Sequence, residues 1–475
     1  MTTSPIKFGT SGWRGLIADD FTFQNVRLAV TAIAEHVKTK AKVPTILVGY
    51  DTRFYSEEFS QLAVDILQAH GVKTLLCETF TPTPAVAYEI QRRKLDGAIN
   101  FTASHNPAPY HGLKFSSADA GPALPEVTKD IEARVVKLLE KGGVPALPAA
   151  GKPKKDAGER VNLRENYLKR IEELVRFDVL RKGKTKFVVD ALHGCGAGYL
   201  DRALSEHGVL GPALRLDRDC LFDGTGPDVS EENLAPLRKA VKESGATAGL
   251  ATDGDADRFG IVDHDGAWIQ PNNILALLYD YLVETRKWNM PAARSVATTQ
   301  MVDAAAKAHG QTTYQTPVGF KYIGQLIRED KIALGGEESA GITIRGHVPE
   351  KDGILACLLV AEMIAARGAS IGEQLRRMFK KLGREFWPVR ENLHLSDEQK
   401  ANAVKKVAVD VSTLLGRRVV SIDRTDGAKF VFDDGSWMLL RLSGTEPLLR
   451  LYVEADSAAG SGKLVKEATK WILEG

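Results

Sequence analysis

Short apolar runs alternate with longer amphipathic stretches along most of the chain. A helix is predicted over 56–70, and the stretch 352–367 is apolar enough to form a largely buried helix. This alternation is typical of α/β units with largely parallel sheets. The predicted strands are 46–48, 74–77, 98–101, 187–190, 248–252, 295–299 and 332–334.

The pattern changes after residue 382. A helix near 396–415 precedes a strand over 418–422, and a DDGS turn then leads to two further strands and a final helix. These last two strands are predicted over 437–442 and 448–454. Their order predicts an α+β domain with an antiparallel sheet. Earlier in the chain, the segment 145–158 is rich in Pro, Ala, Gly and Lys, which is typical of a linker.

Length, charge and cysteine content narrow the class of protein. The 475 residues suffice for three or four domains, at about 100–200 residues each. Lys and Arg total 63 against 61 Asp and Glu, so no overall attraction to nucleic acid or to an anionic membrane is expected. No CxxC pair, apolar signal core or stretch of about 18 apolar residues is present. We therefore expect a reduced, cytoplasmic protein without a disulfide framework or zinc site.

The sequence TASHNP, residues 102–107, follows a predicted strand. α/β sheets place functional loops at that end of their strands. Pro107 stiffens the loop and restricts Asn106 before it. Ser104 needs activation to act as a nucleophile, and the GxSxG elbow of serine hydrolases is absent. On its own, this loop fits a structural turn equally well.

The sequence DGDADR, residues 253–258, follows another predicted strand. Three carboxylates so close together repel one another unless a cation neutralises them, and the alternate spacing suits Mg²⁺. A calcium EF-hand is excluded because Arg258 and His264 occupy the positions of its glycine and glutamate. A solvated acidic turn is the alternative. In the metal interpretation Arg258 would face a phosphate that completes the metal shell. The three carboxylates are Asp253, Asp255 and Asp257.

The glycine-rich sequence GGEESAG, residues 335–341, lies between two apolar runs. Glu337 and Ser339 project to one side if this segment is extended, because side chains alternate along a strand. An acidic acceptor beside a hydroxyl suits the vicinal hydroxyls of a sugar. A glycine-rich turn without a ligand explains the segment equally well.

A second glycine-containing loop, RLSGTEP at 441–447, combines an arginine, two hydroxyls and free backbone N–H groups. Such a set is typical of an anion cradle. It lacks the Walker lysine, so it is not a nucleotide P-loop. A turn between strands is the alternative.

Two smaller features carry positive charge. Arg14 lies within the glycine-punctuated sequence GTSGWRG, and His347 and Lys351 lie within HVPEKDG. The second sequence precedes a predicted helix, whose N-terminal end favours anions.

These six segments, in this order, resemble the α-D-phosphohexomutase family of phosphoglucomutases and phosphomannomutases. The resemblance covers essentially the whole chain, and TASHNP together with DGDADR is highly specific. It implies three α/β domains with mixed, largely parallel sheets and a C-terminal α+β domain with an antiparallel sheet, all around a central cleft. The expected domains are 1–155, 156–262, 263–382 and 383–475.

The resemblance also implies a role for each matching residue. Ser104 would carry the phosphate and share Mg²⁺ with Asp253, Asp255 and Asp257. The implied catalytic residues around the transferring phosphate are Arg14, Lys114, Arg258 and His105. The implied substrate-binding residues are Val318, Gly319, Glu337, Ser339, His347, Lys351, Arg441, Ser443, Gly444 and Thr445.

The implied activity interconverts glucose 1-phosphate and glucose 6-phosphate through a phosphoserine and a hexose 1,6-bisphosphate, with glucose 1,6-bisphosphate as primer. The last domain is expected to move while the intermediate reorients. GEES followed by HVPEKDG resembles the glucose-preferring members, although Val318 replaces a threonine of the longer phosphoglucomutases. The alternatives are a phosphomannomutase or dual-specificity mutase, a glucose 1,6-bisphosphate synthase, and an inactive sugar-phosphate-binding scaffold. Hexose phosphates are the expected partners of a monomer or weak dimer that binds neither nucleic acid nor membrane.

Overall fold

Four β-sheets follow one another along the chain, and each has its own helices. The computed structural model describes residues 6–143, 158–442 and 448–474. The sheets contain six, five, four and six strands in chain order. We call the part of the chain around each sheet the first, second, third or fourth unit.

The first sheet has the strand order β1-β5-β4-β2-β3-β6. Strands β2, β3, β4 and β6 run parallel, whereas β5 is antiparallel to both of its neighbours. The strands are β1 (Trp13–Leu16), β2 (Thr45–Tyr50), β3 (Lys73–Cys77), β4 (Gly97–Phe101), β5 (Tyr110–Ser117) and β6 (Glu159–Val161). The helices are α1 (Phe23–Lys38), α2 (Ser56–Ala69), α3 (Thr83–Arg93) and α4 (Pro125–Glu140).

The second sheet has the order β11-β10-β9-β7-β8, with a parallel half around β7 and an antiparallel half around β10. Its strands are β7 (Phe187–Asp190), β8 (Leu210–Leu214), β9 (Ala248–Thr252), β10 (Phe259–Asp263) and β11 (Trp268–Ile269). The helices are α5 (Arg164–Leu174), α6 (Phe177–Lys182), α7 (Leu200–Glu206) and α8 (Ala235–Ser244).

The third sheet has the order β13-β12-β14-β15, in which only β15 is antiparallel to its neighbour. Its strands are β12 (Ala292–Ser295), β13 (Thr313–Thr316), β14 (Leu334–Glu337) and β15 (Gly341–Ile344). The helices are α9 (Pro271–Arg286), α10 (Met301–Ala308), α11 (Phe320–Arg328), α12 (Gly353–Arg367) and α13 (Ile371–Leu382).

The fourth sheet is antiparallel throughout, with the order β16-β21-β20-β19-β18-β17. Its strands are β16 (Trp387–His394), β17 (Thr413–Leu414), β18 (Arg417–Asp423), β19 (Ala428–Phe432), β20 (Trp437–Leu442) and β21 (Leu448–Ala455). The helices are α14 (Asp397–Val407) and α15 (Ala458–Leu473). The predicted fold class, three α/β units and an antiparallel α+β unit, is confirmed.

Helix α12 joins the second and third units through its apolar surface. Asp352 caps its first turn by accepting a hydrogen bond from the backbone N–H of Leu355 at 2.8 Å. The apolar residues of α12 from Ile354 to Ile364 are buried, so the helix packs on all sides. Its first residue, Gly353, donates its N–H to the carbonyl oxygen of Ala256 at 3.1 Å. The beginning of α12 therefore rests on the DGDADR loop.

Two predicted strands lie a few residues from the observed ones. The strand predicted over 295–299 is wrong beyond Ser295, where β12 ends, because Val296 and Ala297 pack in a cluster with side chains of the fourth unit. The strand predicted over 332–334 begins only at Leu334, since pairing with β12 and β15 starts there. Contacts with distant parts of the chain therefore set the end of β12 and the start of β14.

The helix predicted over 396–415 is too long. Helix α14 ends at Val407, and Thr413 and Leu414 form β17, which pairs with β18. The intervening sequence is rich in β-branched residues, which favour extended structure over helix. Thr413 and Leu414, which were predicted to be helical, therefore form the edge strand of the fourth sheet.

The first two sheets extend beyond the expected domain boundaries. Strand β6, after residue 155, pairs parallel with β3 and completes the first sheet. Strand β11, after residue 262, pairs with β10 and completes the second. The predicted linker lies outside the described residues except for Gly158.

None of the helices among the described residues is by itself long and apolar enough to cross a membrane. Only α12 and α13 together meet that criterion, as a pair bent by 76°.

Candidate active site

Ser104 lies in the loop between β4 and β5, facing the loop that follows β9. Its backbone has a positive φ of 52°, which is uncommon for a residue with a side chain. Its N–H donates to Thr102 Oγ1 at 2.8 Å, and its hydroxyl donates to Asp253 Oδ2 at 2.7 Å. The predicted phosphate carrier therefore lies within hydrogen-bond distance of the predicted metal loop.

The three aspartates of DGDADR converge in the interior. Asp253, Asp255 and Asp257 are each at most 1% exposed, and ligand oxygens of all three lie within 4.8 Å of one another. Burial and the other two carboxylates raise the pKa of Asp253 well above its usual range. Among the described residues, one oxygen each of Asp255 and Asp257 has no hydrogen-bond partner. Buried carboxylate oxygens without a hydrogen bond fit a hard divalent cation such as Mg²⁺.

Two lysines and an arginine neutralise this acidic centre. Lys114 Nζ lies 2.5 Å from Asp255 Oδ2 and 2.7 Å from Asp257 Oδ2. Lys351 Nζ lies 2.9 Å from Asp257 Oδ2, and the guanidinium Nε of Arg258 lies 3.8 Å from Asp257 Oδ1. The backbone N–H of Arg258 also donates to Asp253 Oδ1 at 2.9 Å. Burial alone would lower the pKa of Lys114, but the two carboxylates outweigh it and raise that pKa. These cations can also face phosphate oxygens.

Arg14 and His105 lie at the Ser104 side of the centre. Arg14 Nη1 donates to Asn106 Oδ1 at 2.5 Å. Burial and the neighbouring Arg258 lower the pKa of Arg14 to about 10, so its guanidinium stays charged near neutral pH. Burial, Arg258 and Arg14 lower the pKa of His105 well below its usual range, so its imidazole is neutral.

Close backbone approach brings the serine and metal loops together. A Cβ at Gly254 would lie 2.6 Å from the carbonyl oxygen of Ser104. Such a contact is shorter than van der Waals packing allows, so glycine is required at this point of the DGDADR loop. The same loop is held from the first unit by Thr83, whose N–H and hydroxyl donate to the Asp255 carbonyl at 3.0 Å and to Oδ2 at 2.5 Å.

Sequence reasoning missed Thr83 and also Arg53, whose guanidinium binds the backbone of the Ser104 loop. Both follow strands of the first sheet, Arg53 after β2 and Thr83 after β3. Strand β2 is the neighbour of β4, and parallel strands end at one edge of a sheet. The adjacency of β2 and β4 could have pointed to Arg53, but the strand order that reveals this adjacency is not visible in the sequence.

The GGEESAG segment is extended only as far as Glu337, where β14 ends. Glu337 Oε1 accepts the N–H of Gly319 at 2.7 Å, so the two predicted sugar-binding segments meet. Ser339 lies in the following turn, because β14 and β15 form a hairpin. Ser339 and Arg258 both line a cleft of about 370 Å³ between the second, third and fourth units.

The fourth unit reaches the third through Asp426. Its Oδ2 accepts from Arg441 Nε at 2.9 Å and from the Val318 N–H at 3.1 Å. Arg441 is thus close to the TPVGFKYI loop. The predicted phosphate-binding residues Ser443, Gly444 and Thr445 lie outside the described residues.

His347 does not reach the cleft. Its side chain is fully buried, and Nε2 lies 2.7 Å from Asp352 Oδ2. The Tyr167 hydroxyl donates to the same carboxylate at 2.7 Å. His347 therefore supports the α12 N-cap through Asp352, and its implied substrate contact stays a prediction. Lys351, four residues on, does reach the acidic centre.

Four family profiles match the chain in succession. They are the phosphoglucomutase/phosphomannomutase alpha/beta/alpha domains I, II and III, over residues 5–141, 165–266 and 270–382, and the C-terminal domain of the same family over 391–470.

Curated relatives match over nearly their full length. The chain is 29% identical over 470 residues to a phosphoglucomutase/phosphomannomutase of Thermococcus kodakarensis, covering 98% of both chains. It is 31% identical to a phosphoglucosamine mutase of Thermobifida fusca, covering 95% of this chain and 94% of the relative. A crystal structure from Thermus thermophilus, provisionally named a phosphomannomutase, has 31% identity and a TM-score of 0.85, with 99% and 100% of the chains covered.

Proposed function

Since the chain belongs to the phosphoglucomutase/phosphomannomutase family, we propose that it interconverts glucose 1-phosphate and glucose 6-phosphate, with Ser104 as the phosphate carrier. Members of this family are phosphotransferase mutases. The observation that carries the proposal is the contact of Ser104 Oγ with Asp253 Oδ2 at 2.7 Å. It supports a shared site for a phosphate on Ser104 and a cation on the aspartates.

In the proposed reaction a sugar hydroxyl attacks the phosphorus carried by Ser104. The bond between Ser104 Oγ and phosphorus breaks, and a bond to the sugar oxygen forms. The sugar hydroxyl gives its proton to a base, and the departing Ser104 Oγ takes up a proton. The hexose 1,6-bisphosphate then turns and returns its other phosphate to Ser104. Glucose 1,6-bisphosphate would serve as the primer that phosphorylates Ser104.

The residues at hand meet the main demand of phosphoryl transfer, which is positioning and charge neutralisation. Mg²⁺ held by Asp253, Asp255 and Asp257 would supply Lewis-acid stabilisation of the phosphate oxygens. Lys114, Arg14 and Arg258 place further positive charge around Ser104, within a buried site where such charge acts strongly.

Glu337, Ser339 and the loop at Val318 and Gly319 are proposed to hold the sugar, and Lys351 and Arg441 the phosphate that does not react. Glu337 offers a buried carboxylate acceptor beside the turn that carries Ser339. Ser443, Gly444 and Thr445 would complete the phosphate cradle.

The preference for glucose rests on the GEES and HVPEKDG sequences. A second candidate is glucosamine phosphate, because phosphoglucosamine mutases are among the relatives at 30% and 31% identity. A coupled assay with glucose 1-phosphate, mannose 1-phosphate and glucosamine 1-phosphate, each with Mg²⁺ and bisphosphate primer, tests this. Highest kcat/KM for either of the other two sugars would overturn the glucose assignment.

The assignment of Ser104 has its own experiment. Ser104→Ala should abolish turnover while calorimetry still detects binding of glucose 1,6-bisphosphate. A fully active Ser104→Ala variant would overturn the mechanism. Net conversion with catalytic primer and no other phosphoryl donor separates a mutase from a bisphosphate synthase. We expect the enzyme to act on free hexose phosphates in the cytoplasm, as a monomer or weak dimer.

A further inference from the structure

Arg53 uses every N–H of its guanidinium in a hydrogen bond. The side chain is fully buried beneath the loop that carries Ser104, and Arg53 lies three residues after the end of β2. An arginine has five such donors in a planar fork. The acceptors are Asp51 Oδ2 at 3.1 Å and the carbonyl oxygens of Ser104 at 2.7 Å, Asn106 at 2.5 Å, Pro107 at 2.9 Å and Tyr110 at 3.0 Å.

Three of these five acceptors are backbone carbonyls of the Ser104 loop, and a fourth is the carbonyl of Tyr110, the first residue of β5. The loop runs from the end of β4 to the start of β5 and contains no helix or strand of its own. Backbone carbonyls that no regular element satisfies must find other donors when buried. Arg53 supplies those donors from one rigid group, including the donor to Ser104, whose φ of 52° needs external support.

Asp51 and Phe222 hold Arg53 itself in place. Asp51 Oδ1 accepts hydrogen bonds from the backbone N–H of Arg53 at 3.0 Å and from the Ser56 hydroxyl at 3.0 Å. The Phe222 ring of the second unit packs on the guanidinium, and Arg53 Cζ lies 5.0 Å from the centroid of this ring. Arg218 fastens the same segment by donating to the Thr52 carbonyl at 3.0 Å. The guanidinium is therefore fixed between the units that supply the serine and metal loops.

We propose that Arg53 is a positioning residue for phosphoryl transfer, which sets the place of Ser104 relative to the three aspartates. This inference rests on the proposed role of Ser104. Arg53 donates to the carbonyl oxygen of Ser104 while the Ser104 hydroxyl donates to Asp253. A lysine at position 53 would keep the charge but offer three donors from a single nitrogen, so it cannot bind the four carbonyls together.

The experiment compares Arg53→Lys with Arg215→Lys. Arg215 is a matched control because it is also a largely buried arginine, paired with Asp190, and it donates to the carbonyl of Asn233 rather than to the Ser104 loop. Arg53→Lys should lower kcat by about 100-fold, as a displaced reacting group does, while KM stays near the wild-type value. Arg215→Lys should leave both constants near wild type. Equal kcat values in the two variants would overturn the proposal.

Hydrogen–deuterium exchange provides a readout that does not depend on turnover. Peptides covering 102–110 should exchange faster in Arg53→Lys than in wild type or Arg215→Lys. If the wild-type protein converts no hexose phosphate, the proposed function fails, yet this comparison still tests the hold of Arg53 on the loop. Unchanged exchange in Arg53→Lys would refute that hold.

Phe222→Leu is the milder second variant if Arg53→Lys does not fold. It removes the ring from the guanidinium but leaves the five hydrogen bonds. We expect a loss in kcat of about 5-fold, the size of one cation–π contact, with unchanged KM and faster exchange over 102–110. A Phe222→Leu variant identical to wild type in kcat and in exchange would count against the proposal.

Discussion

Glu337 is a buried carboxylate that titrates close to neutral pH. Burial and the adjacent Glu338 raise its pKa to about 7, against the opposing hydrogen bond from Gly319. A protonated Glu337 has lost its charge and accepts weaker hydrogen bonds from sugar hydroxyls. We therefore expect KM for the hexose phosphate to rise as the pH falls through about 7.

Steady-state kinetics between acid and alkaline pH test this expectation. In Glu337→Gln the group at this position no longer titrates, so KM should be high at every pH and lose its step near neutrality. A step in KM that persists in Glu337→Gln would assign the titration to another group.

Thr83 is a residue whose effect should appear in metal affinity. Its hydroxyl and N–H both hold Asp255, a proposed metal ligand, and partners that orient a metal ligand are worth about 10–100-fold in affinity. Thr83→Val keeps the shape and removes the hydroxyl. We expect the Mg²⁺ concentration for half-maximal activity to rise by about 10-fold or more.

Mn²⁺ binding measured by electron paramagnetic resonance checks the predicted loss of metal affinity independently of enzyme activity. Thr81→Val is the control, because Thr81 is also buried but donates its hydroxyl to the carbonyl of Thr79. Identical Mn²⁺ affinities for the two valine variants would show that Thr83 does not orient the metal loop.

At the scale of elements, Asp280 fastens α9 to three neighbouring segments. Its Oδ1 accepts from Lys381 Nζ at 2.6 Å and lies 2.8 Å from His309 Nε2, and its Oδ2 accepts from Arg367 Nη2 at 2.7 Å. Burial would raise the pKa of Asp280, but these partners outweigh it and lower that pKa. The cluster joins α9 to the ends of α10, α12 and α13.

Asp280→Asn should lower the free energy of unfolding by about 2 kcal/mol at neutral pH, because Lys381 and Arg367 lose their buried charged acceptor and keep only the more exposed Glu284. A lowered folded-state pKa means that this stabilisation is present above the ordinary aspartate pKa and is lost as pH falls through the folded value. The difference between wild type and Asp280→Asn should therefore shrink below about pH 4.

Urea unfolding at neutral and acid pH measures both effects. The control is Glu243→Gln, which removes an exposed partner of Lys239 and should change stability by less than about 0.5 kcal/mol. Equal losses in the two variants would mean that the Asp280 cluster contributes no more than a surface ion pair.

At the scale of the whole molecule, Asp426 couples the position of the fourth unit to the third. One carboxylate oxygen accepts both from Arg441 in its own unit and from the backbone of Val318 across the interface. Asp426→Asn replaces a charged acceptor of the guanidinium by a neutral amide. We expect KM for hexose phosphate to rise by about 10-fold, equivalent to losing about 1.4 kcal/mol, and the fourth unit to separate more often.

Small-angle scattering and kinetics together test this coupling. Asp434→Asn is the matched control, since Asp434 accepts from Ser436 within a hairpin turn of the fourth unit and does not contact Val318. If Asp426→Asn matches Asp434→Asn in KM and in radius of gyration, Asp426 does not couple Arg441 to the interface with the third unit.

Much of the molecule was predictable from residue type and short spacing. TASHNP and DGDADR each bring their functional groups within six positions, so their chemistry is visible without a fold. The alternation of apolar runs predicted most of the strands and the change to an antiparallel unit, because local periodicity decides which face of an element is buried. Those motifs were enough to identify the family.

Only the tertiary structure decided which distant residues meet. Ser104 contacts Asp253 across 149 positions, and Thr83 contacts Asp255 across 172. Local composition carries no information on such pairs, because strand order, the edge at which strands end and the room left by Gly254 create them. The same packing buried His347 under a helix cap and shifted the strand expected at 295–299. A side chain's role follows from its spatial neighbours, and those are a property of the complete core.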